Sequence, residues 1–487
     1  MAPRDVYKFI ACTIFLILGS LLTASAVTTP LTDFMFSKSI TNHGDLAMYS
    51  RFFNKLKDKS CLSIIAIGGS VTAGHWNHTL IPENLRWPGL LGDLLNAHFP
   101  CNDPAGHVVQ NRGKPSTSPG LWIEILTGQQ EAWFQGVDLV ILETALNQEA
   151  EREQAQIDAE IIMSMVTKQS RRNMTKSQLE QAMTSDANFV RGFTGTAAMW
   201  LVGSTRRYIP LWTGVPYERI SDAMYAQLPV AQHHGVPIIS AIDALGPFPT
   251  TELQAWFNKT WYQGDVIHPN QHGHVLLADL VFHYLKTAYE HTRLFQWYDL
   301  PQDYIPRQPQ FLNQDILDLF LDQKPVKISL TSMHDIDLRK VTPCHNWSTY
   351  ADVPEKIGFI AMEVWSSCVL ALKPEEVHDL SIGKADVLMY KSYENMGIFK
   401  MTVTEGRVGV INGTCEGADD PNARVLGSMT VDSLWAAKAS LAEVAVLQFE
   451  LPPASDRSAC LLVHLDIVEA NPARLSNKVK LLGISFF

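Results

Sequence analysis

Three short stretches of this 487-residue chain carry residue types that can do nucleophilic or acid–base chemistry. The first is Gly68-Gly69-Ser70-Val71-Thr72-Ala73-Gly74, directly after the apolar run Leu62–Ile67. A serine hydroxyl is a weak nucleophile until a neighbouring base takes its proton. Glycines on its N-terminal side let the chain turn sharply without a Cβ clash. A phosphate loop is the competing reading, but no Lys-Ser/Thr follows at the required spacing and G-x-G-x-x-G is absent. The second stretch is Asp265-Val266-Ile267-His268-Pro269-Asn270. A carboxylate three residues before a histidine can hydrogen-bond one ring nitrogen and leave the other basic. Pro269 disfavours helix at His268, and Asn270 can cap the helix that follows. His272 and His274 fall inside that helix pattern and lack the upstream Asp. The third is Val137–Leu142 with Glu143-Thr144-Ala145-Leu146-Asn147, where an amide stands just past a buried strand and can donate into a crevice or cap the helix from Gln148. Taken singly, each stretch also has an ordinary reading as a turn or a helix cap.

The elements around them decide whether they can meet. Leu62–Ile67, Val108–Asn111, Val137–Leu142, Ala197–Val202 and Val236–Ser240 are short apolar runs, the pattern of buried parallel strands. Helical patterns lie between and after them, at Trp87–His98, Gln148–Lys168, Tyr217–His234 and Asn270–His291. Alternation of this kind predicts a parallel sheet with helices on both faces. Open α/β sheets bind ligands outside the carboxyl ends of their strands, where the first and third stretches fall, and the second stands in the last loop before the terminal helix. Residues 27–60 read as helix and loop, and the polar passage Gln169–Thr196 reads as an excursion over one sheet edge. Beyond Tyr298 a Pro-spotted passage gives a linker over 301–322. From 323 the pattern changes to short strands at Val326–Leu330, Gly358–Val364, Cys368–Leu372, Asp386–Tyr390, Lys400–Thr404, Val444–Glu450, Cys460–Ile467 and Lys478–Ser485, as in an antiparallel sandwich.

In this chain order the residues resemble the SGNH/GDSL hydrolase family, through Gly69-Ser70 with Thr72 and Gly74, Asn147, and the Asp265-x-x-His268-Pro269-Asn270 loop. The resemblance covers about residues 60–290. It implies a flavodoxin-like three-layer α/β/α domain over 27–300, followed by an all-β sandwich domain over 323–487. It also implies carboxylic ester hydrolysis through an acyl-enzyme on Ser70, with His268 as general base and then acid and Asp265 as its orienter. The oxyanion donors would be the Ser70 N–H, the Ser116 N–H and the Asn147 amide, with Gly113 as alternate to Ser116. The family has Asp where this chain has Gly69, Asn-Asp where it has Asn147-Gln148, and Gly five residues past Asn111, where Ser116 stands. Family members often carry a Trp-Pro like Trp87-Pro88, so Trp87 is a candidate to line the substrate site, with core packing the alternative. Asp386–Gly397 resembles a stretch that follows the hydrolase domain in secreted eukaryotic members. Trp347, Trp365, Tyr390, Tyr393 and Trp435 are candidates there for sugar binding or for the sandwich core.

Composition narrows the partners. A formal charge of −11 with no long basic run argues against nucleic acid. Arg4 and Lys8 precede an apolar run from Phe9 to Leu22 ending in Ala24-Ser25-Ala26, which reads as a signal peptide over 1–26. The run is shorter than the roughly 20 residues a membrane span needs, so no stable membrane insertion is expected after cleavage. Six cysteines remain, Cys61, Cys101, Cys344, Cys368, Cys415 and Cys460, and an even set in an oxidising compartment suggests disulfides, Cys61–Cys101 being the simplest local pair. Sequons stand at Asn77, Asn173, Asn258, Asn346 and Asn412. No Cys-x-x-Cys or His/Cys cluster at metal spacing occurs, and no metal or cofactor is expected. The reading is a protein secreted or held in the secretory lumen, acting on acylated glycans, most plausibly O-acetyl groups, or on another ester. A glycan acyltransferase using the same triad and a non-catalytic carbohydrate-binding pseudo-hydrolase are the alternatives.

Overall fold

A computed structural model of the chain describes residues 31–487, apart from 78, 128–129, 148–151, 168–195, 204–222, 246–264, 266, 296–324, 353–355, 393–395, 410–413, 419, 435–440, 454–455, 457–458 and 470–476. The expected signal peptide, the linker, nearly all of the 169–196 excursion, Tyr393, Trp435 and three of the five sequons (Asn173, Asn258 and Asn412) lie outside the described residues.

In chain order the strands of the first half are β1 Ile40–Asn42, β2 Ser63–Gly68, β3 His75–Trp76, β4 Thr79–Leu80, β5 Val108–Asn111, β6 Leu139–Glu143, β7 Ala197–Val202 and β8 Ile238–Ser240. Six of them form one sheet in the order β1-β8-β7-β6-β2-β5. The pairs from β5 through β8 are parallel, whereas β1 joins β8 antiparallel. Every residue of β6 and β7 is buried, as a strand covered on both faces requires. The helices Trp87–His98 and Gln271–Phe295 pack together as one layer, and Pro119–Leu126, Arg152–Thr167 and Ala223–His234 as another. Counting only the parallel strands, the spatial order is 2-1-3-4-5, the doubly wound order whose chain reversal falls between the first and third strands. Those are β2 and β6, the strands that precede Ser70 and Asn147.

The N-terminal stretch read as helix and loop does hold helices, Asp33–Ser39 and Ser50–Lys57, but it also supplies β1. Three half-buried residues at a sheet edge are too few to show a two-residue period.

Among its described residues the second half is all-β apart from two short helices, Met333–Arg339 and Pro374–His378. Its strands are β9 Val326–Ser329, β10 Trp347–Ala351, β11 Ile357–Ala361, β12 Ser367–Leu372, β13 Lys384–Lys391, β14 Ile398–Val408, β15 Cys415–Glu416, β16 Val425–Asp432, β17 Leu441–Gln448, β18 Ala459–Glu469 and β19 Val479–Phe486. One sheet runs β10-β11-β19-β13-β17 with β9 on β19, and the other β12-β18-β14-β15 with β16 on β14. Alternate residues such as Val387 and Met389, Met401 and Val403, and Val463 and Leu465 enter a core distinct from that of the first half. The sequence reading missed β10, β15 and β16. In β10 only Trp347 is buried and in β16 only Leu426, so neither has the well-buried apolar face of the strands that were read.

Three disulfides close the chain locally, Cys61–Cys101, Cys344–Cys368 and Cys415–Cys460. Among the described residues no helix is long and apolar enough to cross a membrane.

Candidate active site

β2 ends in Gly68, and the chain turns at Gly69 into a one-turn helix, Ser70–Ala73. The turn is held from β6, for the Gly69 N–H donates to the Glu143 carbonyl at 3.2 Å and Thr72 Oγ1 to Glu143 Oε2 at 3.1 Å. Burial pushes the Glu143 carboxyl up to about 8, against hydrogen bonds from Thr72 and Gly69 that pull it down. A Cβ at Gly69 would lie 2.3 Å from Asn147 Nδ2. Any side chain at position 69 would therefore collide with the Asn147 amide.

The loop before the last helix comes to the same point. His268 Nε2 lies 2.8 Å from Ser70 Oγ, and His268 Nδ1 lies 2.7 Å from Asp265 Oδ2. Asp265 Oδ1 accepts the N–H groups of Ile267 and His268 at 2.9 and 3.0 Å, and Oδ2 also accepts the Asn77 N–H at 3.1 Å. Burial alone would raise the Asp265 pKa, but the His268 ring and these backbone donors outweigh it and hold it at about 2. Asn270 Oδ1 accepts the N–H groups of His272 and Gly273, the cap expected for the terminal helix.

Asn147 lies past the end of β6, buried, and donates from Nδ2 to the Thr117 carbonyl at 3.1 Å. A primary amide has two N–H donors, so one remains to point elsewhere. Ser116, next to Thr117, has a left-handed backbone with φ +60°. That conformation costs an ordinary residue about 1–2 kcal/mol, and it is the one a glycine adopts freely. Gly113, the alternate donor, is committed elsewhere. Its N–H donates to Asn111 Oδ1 at 2.9 Å, and a Cβ there would sit 2.4 Å from the Ala73 nitrogen. Its lack of a side chain serves close packing against the nucleophile turn.

Trp87 does not line the site. Its side chain is fully buried in the core of the first half, at the start of the Trp87–His98 helix. Its backbone N–H donates to Nδ1 of buried His274 at 3.1 Å, a ring whose pKa burial lowers to about 3, helped by the nearby Arg86 and His268 charges. The exposed sequon residues Asn77 and Asn346 both have left-handed backbones. In the sandwich, Trp347 is buried against Phe359 and so belongs to its core, whereas Trp365 is 78% exposed. Tyr390 lies under the Lys480 and Lys356 ammonium groups.

Two side chains near the Ser70–His268–Asp265 chain carry no signal that the sequence reading used. His75 follows the nucleophile turn, its ring centroid 6.1 Å from that of His268. Burial, then the His268 and Lys356 charges, lower its pKa to about 4, so it is neutral in ordinary buffers. Closeness to Ser70 in sequence could have flagged it. Lys356 comes from the sandwich and donates to Ser116 Oγ at 2.7 Å, across 240 residues of sequence. Burial, then the Lys480 charge, lower its pKa to about 8, with Asp352 acting the other way. No local pattern marks such a contact. A separate cavity of about 720 Å³, bounded by Asn42, His43, Gln232, Tyr284 and His291, contains no part of the Ser70–His268–Asp265 chain. Among the described residues no cluster of His, Cys, Asp and Glu could hold a metal ion.

No family model and no curated protein matches the chain in sequence. Solved structures do match in fold. One is a two-domain esterase (CEX) active on acetylated mannans, 14% identical with a TM-score of 0.53, covering 93% of this chain and 98% of that one. The same esterase co-crystallised with mannopentaose matches with the same identity and TM-score over 93% of this chain and 97% of that one. The likeness extends over both halves of the molecule, an α/β domain followed by a β domain.

Proposed function

We propose that this chain is a secreted serine esterase of the SGNH type that cleaves carboxylic esters, O-acetyl groups on a glycan in particular, through an acyl-enzyme on Ser70. The observation that carries the reading is the unbroken hydrogen-bonded chain from Ser70 Oγ through the His268 ring to Asp265, placed where the strand order reverses. His268 Nε2 takes the Ser70 proton as Oγ attacks the acyl carbonyl carbon. The resulting oxyanion is received by the Ser70 and Ser116 N–H groups and the second Asn147 N–H. Collapse breaks the bond to the sugar oxygen, which takes the proton back from His268. Water then gives a proton to His268 and attacks the acyl carbon, and Ser70 regains its hydroxyl as the acid leaves. Asp265, held ionised far below neutral pH, keeps the ring oriented and supports its cationic form.

The left-handed backbone at Ser116 favours that residue as the second oxyanion donor, and the engaged N–H of Gly113 argues against the alternate. The glycan substrate rests on the secretion signal, the sequons and the substrate of the mannan esterase that shares this fold. Three disulfides accord with an oxidising compartment. The domain limits proposed are 27–300 and 323–487.

The test is labelling by a fluorophosphonate together with hydrolysis of 4-nitrophenyl acetate. Wild-type protein should label and turn over, and Ser70→Ala should do neither. A folded Ser70→Ala protein that hydrolyses the ester as fast as wild type removes Ser70 from the mechanism.

A further inference from the structure

We infer that the β-sandwich is a working part of the active site, with Lys356 as a positioning residue that holds Ser116 in its left-handed conformation and so aims the Ser116 N–H. This rests on the esterase reading above and extends it to a residue outside the α/β domain.

The contacts on Ser116 carry the inference. Its side chain accepts a hydrogen bond from Lys356 Nζ at 2.7 Å, and its carbonyl accepts the Ala442 N–H at 2.7 Å. Both partners belong to the sandwich, and Thr117 forms a β-bridge with Ala442 beside them. A serine with φ +60° needs outside restraint that a glycine would not. The α/β domain holds the loop on either side of Ser116, at Lys114, whose N–H donates to the Gly68 carbonyl at 2.9 Å, and at Thr117, whose carbonyl accepts from Asn147 Nδ2 at 3.1 Å. At Ser116 itself the two hydrogen bonds come from the second half of the chain. Lys356 is itself fixed, because Lys480, ion-paired to Asp352, donates to its carbonyl. A displacement of about 1 Å in a group that must meet a developing charge can cost two orders of magnitude.

The experiment uses the full chain and 4-nitrophenyl acetate. Lys356→Met should lower kcat about 10- to 100-fold with little change in KM, because a donor to the transition state is misaimed while the ester binds as before. Lys356→Arg, which keeps a donor, should recover most of the rate. Adding Ser116→Gly to Lys356→Met should also restore kcat well above the Lys356→Met level, since glycine takes φ > 0 unaided. Ala442→Pro removes the other bond at an edge strand and offers a second route if Lys356→Met does not fold. It should give a smaller kcat loss of the same kind. Amide exchange of the 112–118 segment, read by mass spectrometry, should rise in Lys356→Met and fall again in Lys356→Arg.

An unchanged kcat in Lys356→Met, a rise in KM alone, or no rescue by Ser116→Gly would overturn the assignment. A charge that merely bound substrate would not be replaced by a glycine in another domain. If wild type neither turned over the ester nor took the fluorophosphonate, the esterase reading would fall. The exchange measurement would still decide whether Lys356 holds the loop.

Discussion

The loop after β2 and the loop after β5 reach the same buried amide, Asn147, but they stand on different supports. The first carries Ser70 and is held wholly within the α/β half, by Glu143 below and by His268 and Asp265 from the last loop. The second carries Ser116 and leans on the sandwich as well, through Lys356 and Ala442, and the helix after it, Pro119–Leu126, meets Lys327 and Asp386 at Glu124. On the proposed mechanism, local architecture secures the nucleophile and its base, while the charge-stabilising side also leans on a second folded unit. Chemistry and its positioning are separable in such a molecule, and substitutions on the two sides should differ in size and kind.

The largest losses belong to the first loop's constellation. Ser70→Ala should lower kcat on the order of 10⁶-fold, and Asp265→Asn about 10⁴-fold, because the wrong His268 tautomer then faces the serine. Steady-state hydrolysis of 4-nitrophenyl acetate reads both. Near-equal rates for Asp265→Asn and wild type would break the comparison at its stronger side. Asn147→Ala stands between the loops, removing an oxyanion donor and the bond to the Thr117 carbonyl together. A kcat lower by roughly 10²–10³ with KM steady is expected. A rise in KM alone would mean that Asn147 binds substrate instead.

The same division governs what could be read from the sequence. Ser70, Asp265 and His268 were legible because each sits in a short pattern whose neighbours have reasons of their own. Gly68 and Gly69 allow the turn, Pro269 keeps His268 out of the helix, and Asn270 caps it. The parallel strands were legible because burial on both faces leaves unbroken apolar runs, as in β6 and β7. Lys356 was illegible because its role exists only once the two halves have docked, and nothing near position 356 distinguishes it from any surface lysine. Trp87 stayed open between substrate site and core for a related reason. A Trp-Pro at a helix start looks the same whether its indole faces a cleft or the core, and here the packing of that helix against the last one turns it inward.

The acid limb of stability gives a finer test of the first loop. Asp265 titrates lower in the folded chain, at about 2, than in an unfolded one, at 3.8. Its contribution is therefore complete above about pH 5 and is lost as pH falls through 3.8 towards 2. With a side chain only 15% exposed, on the order of 2 kcal/mol is at stake. Urea midpoints of wild type and Asp265→Asn should converge as pH is lowered from 5 to 2, and curves that stay parallel would deny the shifted titration.

The smallest effect should appear where the helix after the second loop, Pro119–Leu126, meets the sandwich. Glu124 is buried beside Asp386, which is paired with Lys384 at 2.6 Å, and Lys327 donates to the Glu124 carbonyl. Burial first, and the Asp386 carboxylate next, raise the Glu124 pKa, with Lys384 and Lys327 opposing. An acid that titrates higher folded than unfolded binds more protons in the folded state, so its contribution falls as pH rises above about 4.5. The unfolding midpoint of wild type should accordingly drop between pH 5 and 8 by a part that Glu124→Gln removes, because a glutamine amide still donates to Asp386 but cannot ionise. A difference of about 2–4 °C between the two proteins at pH 8, shrinking towards pH 5, is the size to look for by calorimetry. The nucleophile loop offers a control in the same scans. Thr72→Val removes the contact to Glu143 without touching the sandwich, and because that bond holds the buried Glu143 carboxyl down, its loss should steepen the fall between pH 5 and 8, while Glu124→Gln should remove the same part in that background as in wild type.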